Sequence, residues 1–407
     1  CFYAESGGQV SDTGMIIGDT FKARVVDVFK GPNGQHIHKV RLLDGVIHVG
    51  DACELVLDKE RRVRIQANHS SVHILQYSLQ QVISKDIKQA GSYVDDEKLR
   101  FDFTYSGKLN DDLLLEVEKF ANKMIQEHII VSTEVMPLDK AMKLGAMALF
   151  SEKYGETVRV VKIGKSIELC GGTHAVNTKD IGELAISSCE SKGSNVYRIE
   201  AVTGDKIPNA LYEVIKPYND EKIKLLMKAR EILDDARNHG IHLTFEVDIT
   251  NDKPKGYKDV VYYKNELQYV HQEVKELEKT YQDLKEKNAL QNLDIYHEHI
   301  YKKKDLSILV MKLHDKDMSL LKSIADTLMN EIESGFIFFA NEVKGESVQF
   351  IAKRNCSCSA GDCVKKASLA CSGNGGGSPT FAQGGGKDIS SLDMVLKDIQ
   401  EEIERHA

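Results

Sequence analysis

The chain has 407 residues, 42% of them hydrophobic and 29% charged, with a net charge of −8 at neutral pH. That length exceeds an ordinary single domain and the apolar content suffices for sizeable cores, so about two to four globular domains are expected. There is no run of about 18 apolar residues and no signal-peptide pattern at the start, so no membrane association and a cytoplasmic location are expected; the acidic balance excludes a global attraction to nucleic acid but leaves local phosphate contacts open.

Taken in order, residues 1–60 hold short β-type runs, Lys22–Phe29 and Gly45–Val49, between Gly, Asp and Asn turn clusters, and predict a small β-barrel-like unit. The chain opens on Cys1 rather than methionine and enters directly into Phe2–Gln9, which reads as the downstream part of something longer. Gly7-Gly8-Gln9, with Asp12 and Gly14, reads as a hairpin turn. Residues 61–205 predict an α+β core. Its first helix carries Val72, Leu75, Leu79 and Val82 at helical spacing with Asn68 as cap, and Gln89–Ser92 reads as a solvated helix end. A strand at Lys98–Thr104, a helix near 110–130, and strands at Val158–Ile163 and Tyr197–Val202 complete it. Residues 206–300 are helical. Val260, Tyr263, Leu267, Val270, Val274, Leu277, Tyr281 and Leu284 alternate spacings of three and four, a heptad seam open to a helical hairpin or to a dimer. Residues 301–407 predict a separate α/β domain, with strands at Leu306–Val310, Phe336–Phe339 and Ser347–Ile351 and then a glycine-rich loop over Gly373–Gly386. The fold class is therefore α+β and multidomain.

Two histidines four apart, His69 and His73, share one helical face, and about a hundred residues later Cys170 and His174 sit around two glycines that favour a tight loop. Three nitrogens and one sulfur suit one zinc ion. Four protein ligands would close the ion, whereas a metal-bound water needs an open position, so ligand count leaves its role undecided. The eight cysteines, at 1, 53, 170, 189, 356, 358, 363 and 371, are too irregular for a disulfide framework and fit a reducing compartment. The late four match no familiar metal spacing and read as reduced packing residues. The Gly373–Gly386 loop lacks the dinucleotide and Gly-Lys-Ser/Thr fingerprints, which leaves a linker or a backbone-amide phosphate site. Lys302, Lys303, Lys304, Lys353, Arg354, Lys365 and Lys366 are either phosphate contacts or solvated charges.

Five ordered motifs, at residues 2–14, 68–73, 99–103, 168–174 and 198–204, together resemble the editing half of the alanyl-tRNA synthetases, and Gly375–Gly386 is similar to their C-terminal tRNA-binding domain. The resemblance implies that residues 61–205 are a zinc-containing editing core. Its ligands would be His69, His73, Cys170 and His174, and it would hydrolyse tRNA(Ala) mischarged with serine or glycine. It also implies a glutamine near the cleft, here Gln89, and a Gly-Gly-Gln turn, here Gly7, Gly8 and Gln9. Ser70 stands where the family usually has threonine. Ser70, Ser71, Gln89 and Gln9 are the catalytic candidates, and Gly7, Gly8, Gly375, Gly376, Gly377, Gln383, Gly384 and Gly385 are candidates for substrate or tRNA contact. ATP-driven charging belongs to an upstream half that nothing in this chain matches, so ATP is expected only there. A homodimer through the helical or C-terminal region is a further expectation. Two alternatives stay open: a freestanding deacylase, whose first motif usually reads Tyr-Pro-x-Gly-Gly-Gln rather than Tyr3–Gln9 as here, and a zinc-stabilised tRNA-binding module without hydrolysis.

Overall fold

A computed structural model describes residues 2–148, 154–249, 252–291 and 293–406; Cys1 lies outside them. The chain divides into two compact units, Cys1–Leu225 with Val247–His271, and Leu226–Glu246 with Gln272–Ala407.

In the first unit, β1 (Gly14–Gly18), β2 (Phe21–Lys30), β3 (His36–Gly45) and β4 (Cys53–Leu57) form an antiparallel sheet in the order β3-β2-β1-β4. Alternation along β2 buries Phe21, Ala23 and Val25. No pairing of β3 with β4 occurs among the described residues, so the sheet is open and the barrel-like expectation is corrected. The strand expected at Gly45–Val49 in fact ends at Gly45, where φ is +76° and an added Cβ would lie 1.8 Å from the Thr20 carbonyl oxygen. The run before it, mixed in polarity and exposed on both faces, was the strand. Before this sheet, Ser6 and Gln9 exchange backbone hydrogen bonds of 3.2 and 3.1 Å around Gly7 and Gly8, both at positive φ, which is a two-residue hairpin turn.

The helix α1 (Lys59–Val82) starts ten residues earlier than its apolar spacing suggests, because Asp58 caps it by accepting from the Arg61 N–H. Asn68 is not a cap; it lies mid-helix and buried, donating to the Asp95 carbonyl at 2.9 Å and accepting from Thr203 Oγ1 at 2.7 Å. Next come β5 (Lys88–Val94), β6 (Leu99–Thr104), α2 (Asp111–Gln126), β7 (Val131–Pro137), α3 (Leu138–Lys143), β8 (Thr157–Ile163), β9 (Ser166–Leu169), β10 (Leu184–Gly193) and β11 (Val196–Thr203). Gln89–Ser92 thus belongs to a strand, not a helix end. One sheet runs β10-β11-β6-β5 and another β7-β8-β9. The core between the first of these and helices α1 and α2 contains Ile74, Leu75, Leu79, Phe101, Phe103, Val117 and Ile199.

The long helices α4 (Ile207–Asn238) and α5 (Tyr257–Gln291) contribute to both units. Every residue of the heptad seam is buried or half-buried. In the first unit Lys222 and Glu266 form a buried ion pair. In the second, Lys228 reaches Glu278 while Asp235, further along, reaches Tyr281 and Lys285, so these segments run in the same direction. The pair is parallel rather than a hairpin. A helix of this length spans about 48 Å, and the connection over 239–256 covers about 59 Å when extended, enough to return to the start. The seam is therefore filled within the chain.

The second unit continues with α6 (Asp294–His297), β12 (Tyr301–Lys303), β13 (Leu306–His314), α7 (Met318–Asn330), β14 (Gly335–Val343), β15 (Ser347–Arg354), α8 (Ala360–Ala370), β16 (Asn374–Gly377), β17 (Phe381–Gly386) and α9 (Leu392–Arg405). Its sheet has the order β12-β13-β14-β15-β17-β16, with β13 and β14 parallel. Phe336 and Phe338 pack toward α8 and α9, and Ile337 and Phe339 toward α7, so β14 is apolar on both faces and reads as a continuous hydrophobic run. The glycine-rich stretch is a strand pair, not a loop. Gly375 and Gly384 let it lie against α8, where a Cβ on Gly384 would come 2.3 Å from Ser368 Oγ and 2.8 Å from Val364 Cγ1. No helix among the described residues is long and apolar enough to cross a membrane.

Gly384→Ala should therefore destabilise the chain by about 1–3 kcal/mol through overpacking. Gly376→Ala, where an added Cβ meets nothing within 4 Å, should stay within about 0.5 kcal/mol of the parent in urea unfolding. A second outcome concerns Glu118, which accepts from the backbone N–H groups of Ile186 (2.6 Å) and Tyr257 (3.0 Å); burial nevertheless pushes its carboxyl up from 4.5 to about 7. Because the folded value is the higher one, its stabilisation is complete below about pH 4.5 and lost above about pH 7, a change of about 3 kcal/mol. Glu118→Gln should flatten the fall in stability across that window, measured by denaturant unfolding at successive pH values.

Candidate metal centre

The two halves of the ligand set arrive from different elements. His69 and His73 sit one turn apart on α1, while Cys170, Gly171, Gly172 and His174 follow β9. The ligand atoms of His69, His73, Cys170 and His174 all lie within 4.8 Å of one another, the one such group of three or more among the described residues. Cys170 Sγ is 3.4 Å from Nε2 of both His69 and His174. The loop is fastened by Arg159, whose Nη1 donates to the carbonyls of Cys170 (2.9 Å) and Gly172 (2.7 Å). Gly172 is the close approach, since a Cβ there would fall 2.0 Å from His69 Cε1 and 2.9 Å from Gln9 Oε1, whereas one at Gly171 meets nothing within 4 Å.

Each imidazole is gripped on its outer nitrogen. Gln9 Oε1 accepts from the Thr173 N–H at 2.8 Å while its Nε2 donates to Thr173 Oγ1 at 2.9 Å, so the oxygen is the atom facing His69 Nδ1 at 2.7 Å. His69 must then carry its proton on Nδ1, leaving the Nε2 lone pair pointing inward. His73 Nδ1 faces Glu168 Oε2 at 2.5 Å, and the other oxygen of Glu168 accepts from Ser166 Oγ at 2.8 Å. His73 Nε2 is left buried with no hydrogen-bond partner. His174 Nδ1 lies 3.3 Å from Ser70 Oγ, which accepts from the Ala175 N–H at 3.0 Å. All three rings thus offer Nε2 to one point, with the outer partners that metal-binding histidines characteristically have.

The electrostatics match that donor set. Burial alone would raise the Cys170 thiol, but the imidazoles packed around it hold it well below its ordinary value. Burial pushes His174 down to about 3, while the Glu168 carboxylate overcomes burial and raises His73 to about 10. The Cys170 thiolate and the buried Glu168 carboxylate call for positive charge at the centre, which either a proton on His73 or a soft or borderline divalent cation in its place supplies. The residues fit zinc.

A cleft of about 280 Å³ opens beside this centre, lined by Tyr3, Lys30, His73, Gln89, Ser92 and Arg159 among others. Of the catalytic candidates, Gln89 lines it, with its Nε2 donating to Ser92 Oγ at 3.0 Å. Gln9, Ser70 and Ser71 are buried and lie outside the cleft lining. Gln9 and Ser70 instead hold His69 and His174. Gly7 lines the cleft, and Gly8 packs against Ser92, where a Cβ would lie 2.5 Å from the carbonyl oxygen. Gly375, Gly376, Gly377, Gln383, Gly384 and Gly385 belong to the second unit, in the β16–β17 pair, where Gln383 and Gly376 are exposed. Sequence reasoning assigned no role to Glu168, Thr173 or Arg159. Glu168 and Thr173 flank the ligands in the Glu168–His174 motif, and that adjacency was the available signal.

Three family models match the chain: tRNA synthetases class II (A) at residues 1–61, the threonyl and alanyl tRNA synthetase second additional domain at 158–200, and the DHHA1 domain at 305–405. Alanine--tRNA ligases from Halalkalibacterium halodurans and Geobacillus thermodenitrificans are 36% and 35% identical over 99% and 97% of this chain. The chain spans 43% and 42% of their lengths. A crystal structure of the C-Ala domain from Aquifex aeolicus alanyl-tRNA synthetase matches 26% of this chain and 97% of that one, at 21% identity and a TM-score of 0.24.

Substituting the two loop glycines separates packing from composition. Gly172→Ala should displace His69 and lower bound zinc per chain, read by atomic emission after dialysis, by at least about tenfold in affinity. Gly171→Ala should bind as the parent does.

Proposed function

We propose that this chain, which belongs to the alanine--tRNA ligase family, hydrolyses the ester of tRNA(Ala) wrongly charged with serine or glycine in the cleft beside His69, His73, Cys170 and His174. The observation that carries the reading is the convergence of three imidazole nitrogens and one cysteine sulfur at the wall of a small cleft. When bound there, zinc supplies positive charge that holds the aminoacyl group or polarises its ester.

The chemistry explains why such a cleft has the residues it has. A charging pocket built for a methyl side chain excludes serine or glycine by only about 1–3 kcal/mol, so errors need a second, hydrolytic sieve. That sieve discriminates best with a hydrogen-bonding group that alanine leaves unpaired. Gln89 is the candidate for the serine hydroxyl, because it lines the cleft and its carboxamide is anchored by Ser92. Gln9, Glu168 and Ser70 act one step removed, keeping the three imidazoles turned inward. Lys30 and Arg159 give the cleft a positive wall suited to the phosphates next to the tRNA 3′ end. In the second unit, the exposed side of the β16–β17 pair, with Gln383 and the amides around Gly376, is the proposed tRNA contact.

Purified chain incubated with seryl-tRNA(Ala) should release serine and leave alanyl-tRNA(Ala) largely intact. Cys170→Ala should abolish the release, and Gln89→Ala should lower it about 10–100-fold, the worth of one buried hydrogen bond to substrate. Unchanged hydrolysis in Cys170→Ala contradicts the zinc-centred reading, and protection of the ester by the parent chain favours a binding module without hydrolysis.

A further inference from the structure

The late cysteines do not gather around one point, yet two of them meet. Cys358 and Cys363 have their sulfurs 3.7 Å apart, both are buried and both are free thiols. Their places in the chain explain the meeting. Ser359 caps α8 by accepting from the Asp362 N–H, so Cys358 is the residue just before the cap and Cys363 the fourth residue of the helix. Those are the two positions whose side chains close over a helix start as a staple. An apolar pair would serve that purpose, and two thiols add a chemistry that packing does not use.

From this geometry we infer that Cys358 and Cys363 are an oxidative modification site: a dithiol that peroxide converts into a disulfide across the first turn of α8. The sulfurs must approach by about 1.7 Å to reach bonding distance, within reach of side-chain rotation because they already face each other. The S–H of Cys363 beside the Cys358 sulfur lowers the Cys358 thiol and raises its own, which makes Cys358 the attacking sulfur. Its thiolate attacks one oxygen of hydrogen peroxide, the O–O bond breaks, and the departing hydroxide takes a proton to become water, leaving a sulfenic acid. The sulfur of Cys363 then attacks that of Cys358 as its own proton leaves. The S–O bond breaks, and a second water forms. Two thiols lose two electrons and one peroxide becomes two waters.

The site is also placed to report on the strand pair beside it. The Ala360 N–H donates to the Pro379 carbonyl at 2.8 Å, the Arg354 N–H to the Thr380 carbonyl at 3.0 Å, and Arg354 Nε to the Pro379 carbonyl at 2.7 Å. The residues around the dithiol therefore hold the turn between β16 and β17. A disulfide would fix the helix start against that turn.

The test is mass spectrometry of the full chain treated with hydrogen peroxide, then denatured, alkylated and digested. The expected result is loss of two hydrogens and of two alkylatable thiols in the peptide joining Cys358 to Cys363, restored by dithiothreitol. Cys356→Ser, which removes the half-buried neighbouring thiol, should leave that signature intact. In Cys363→Ser the disulfide should vanish and Cys358 should be trapped as sulfenic acid by dimedone. The inference is overturned if Cys358 and Cys363 are both still alkylated after peroxide treatment and never lose hydrogens, or if peroxide pairs Cys356 with either of them instead.

Discussion

Everything the first unit can do at its centre depends on which nitrogen of each imidazole carries the proton. Gln9, Glu168 and Ser70 each occupy an Nδ1, and so three Nε2 atoms face one sulfur. The grip on His69 is the best determined, because Thr173 fixes both ends of the Gln9 carboxamide and leaves only the oxygen facing the ring. Burial strengthens all of this. In a site this dry, an imidazole turned the other way would leave a donor or acceptor unpaired, at a cost of about 1–3 kcal/mol. The outer partners come from three places far apart in sequence, the Gly7-Gly8 turn, α1 and the end of β9, so the centre also ties the first sheet to the α+β core within the unit.

Side chains that follow a period were legible in the sequence. The seam on α5 and the strands β6, β8, β11 and β15 stand where alternation or heptad spacing put them, because burial on one face imposes the repeat, and β14 stands where an unbroken apolar run put it. The ligand set was legible as well, from residue type and spacing. What failed were boundaries and roles set by partners distant in sequence. The start of α1 is decided by the Asp58 cap beneath a basic first turn, and Asn68 looked like a cap because its true partners, Asp95 and Thr203, are 27 and 135 residues away. The direction of the α4–α5 pair was invisible for the same reason: a seam records that a helix is covered, not by what or in which sense.

Glycine was misread more than any other residue. In Gly373–Gly386 its density suggested a loop, yet several of these glycines mark places where a strand pair lies against α8 or against itself with no room for a Cβ. Gly172 does the same beside His69. At Gly7 and Gly8 the demand is conformational, and there the turn reading was right. The surroundings of the serine hydroxyls were not legible: on a helix the neighbour of a residue that faces a cleft can point into the core, as Ser70 and Ser71 do.

The central claim is that three imidazole Nε2 atoms and one thiolate sulfur bind a single zinc ion. X-ray absorption at the zinc edge of the purified, zinc-loaded chain tests it most directly. The account predicts one sulfur neighbour at about 2.3 Å and nitrogen neighbours at about 2.0–2.1 Å. A first shell without sulfur, or one made of oxygen alone, would contradict it.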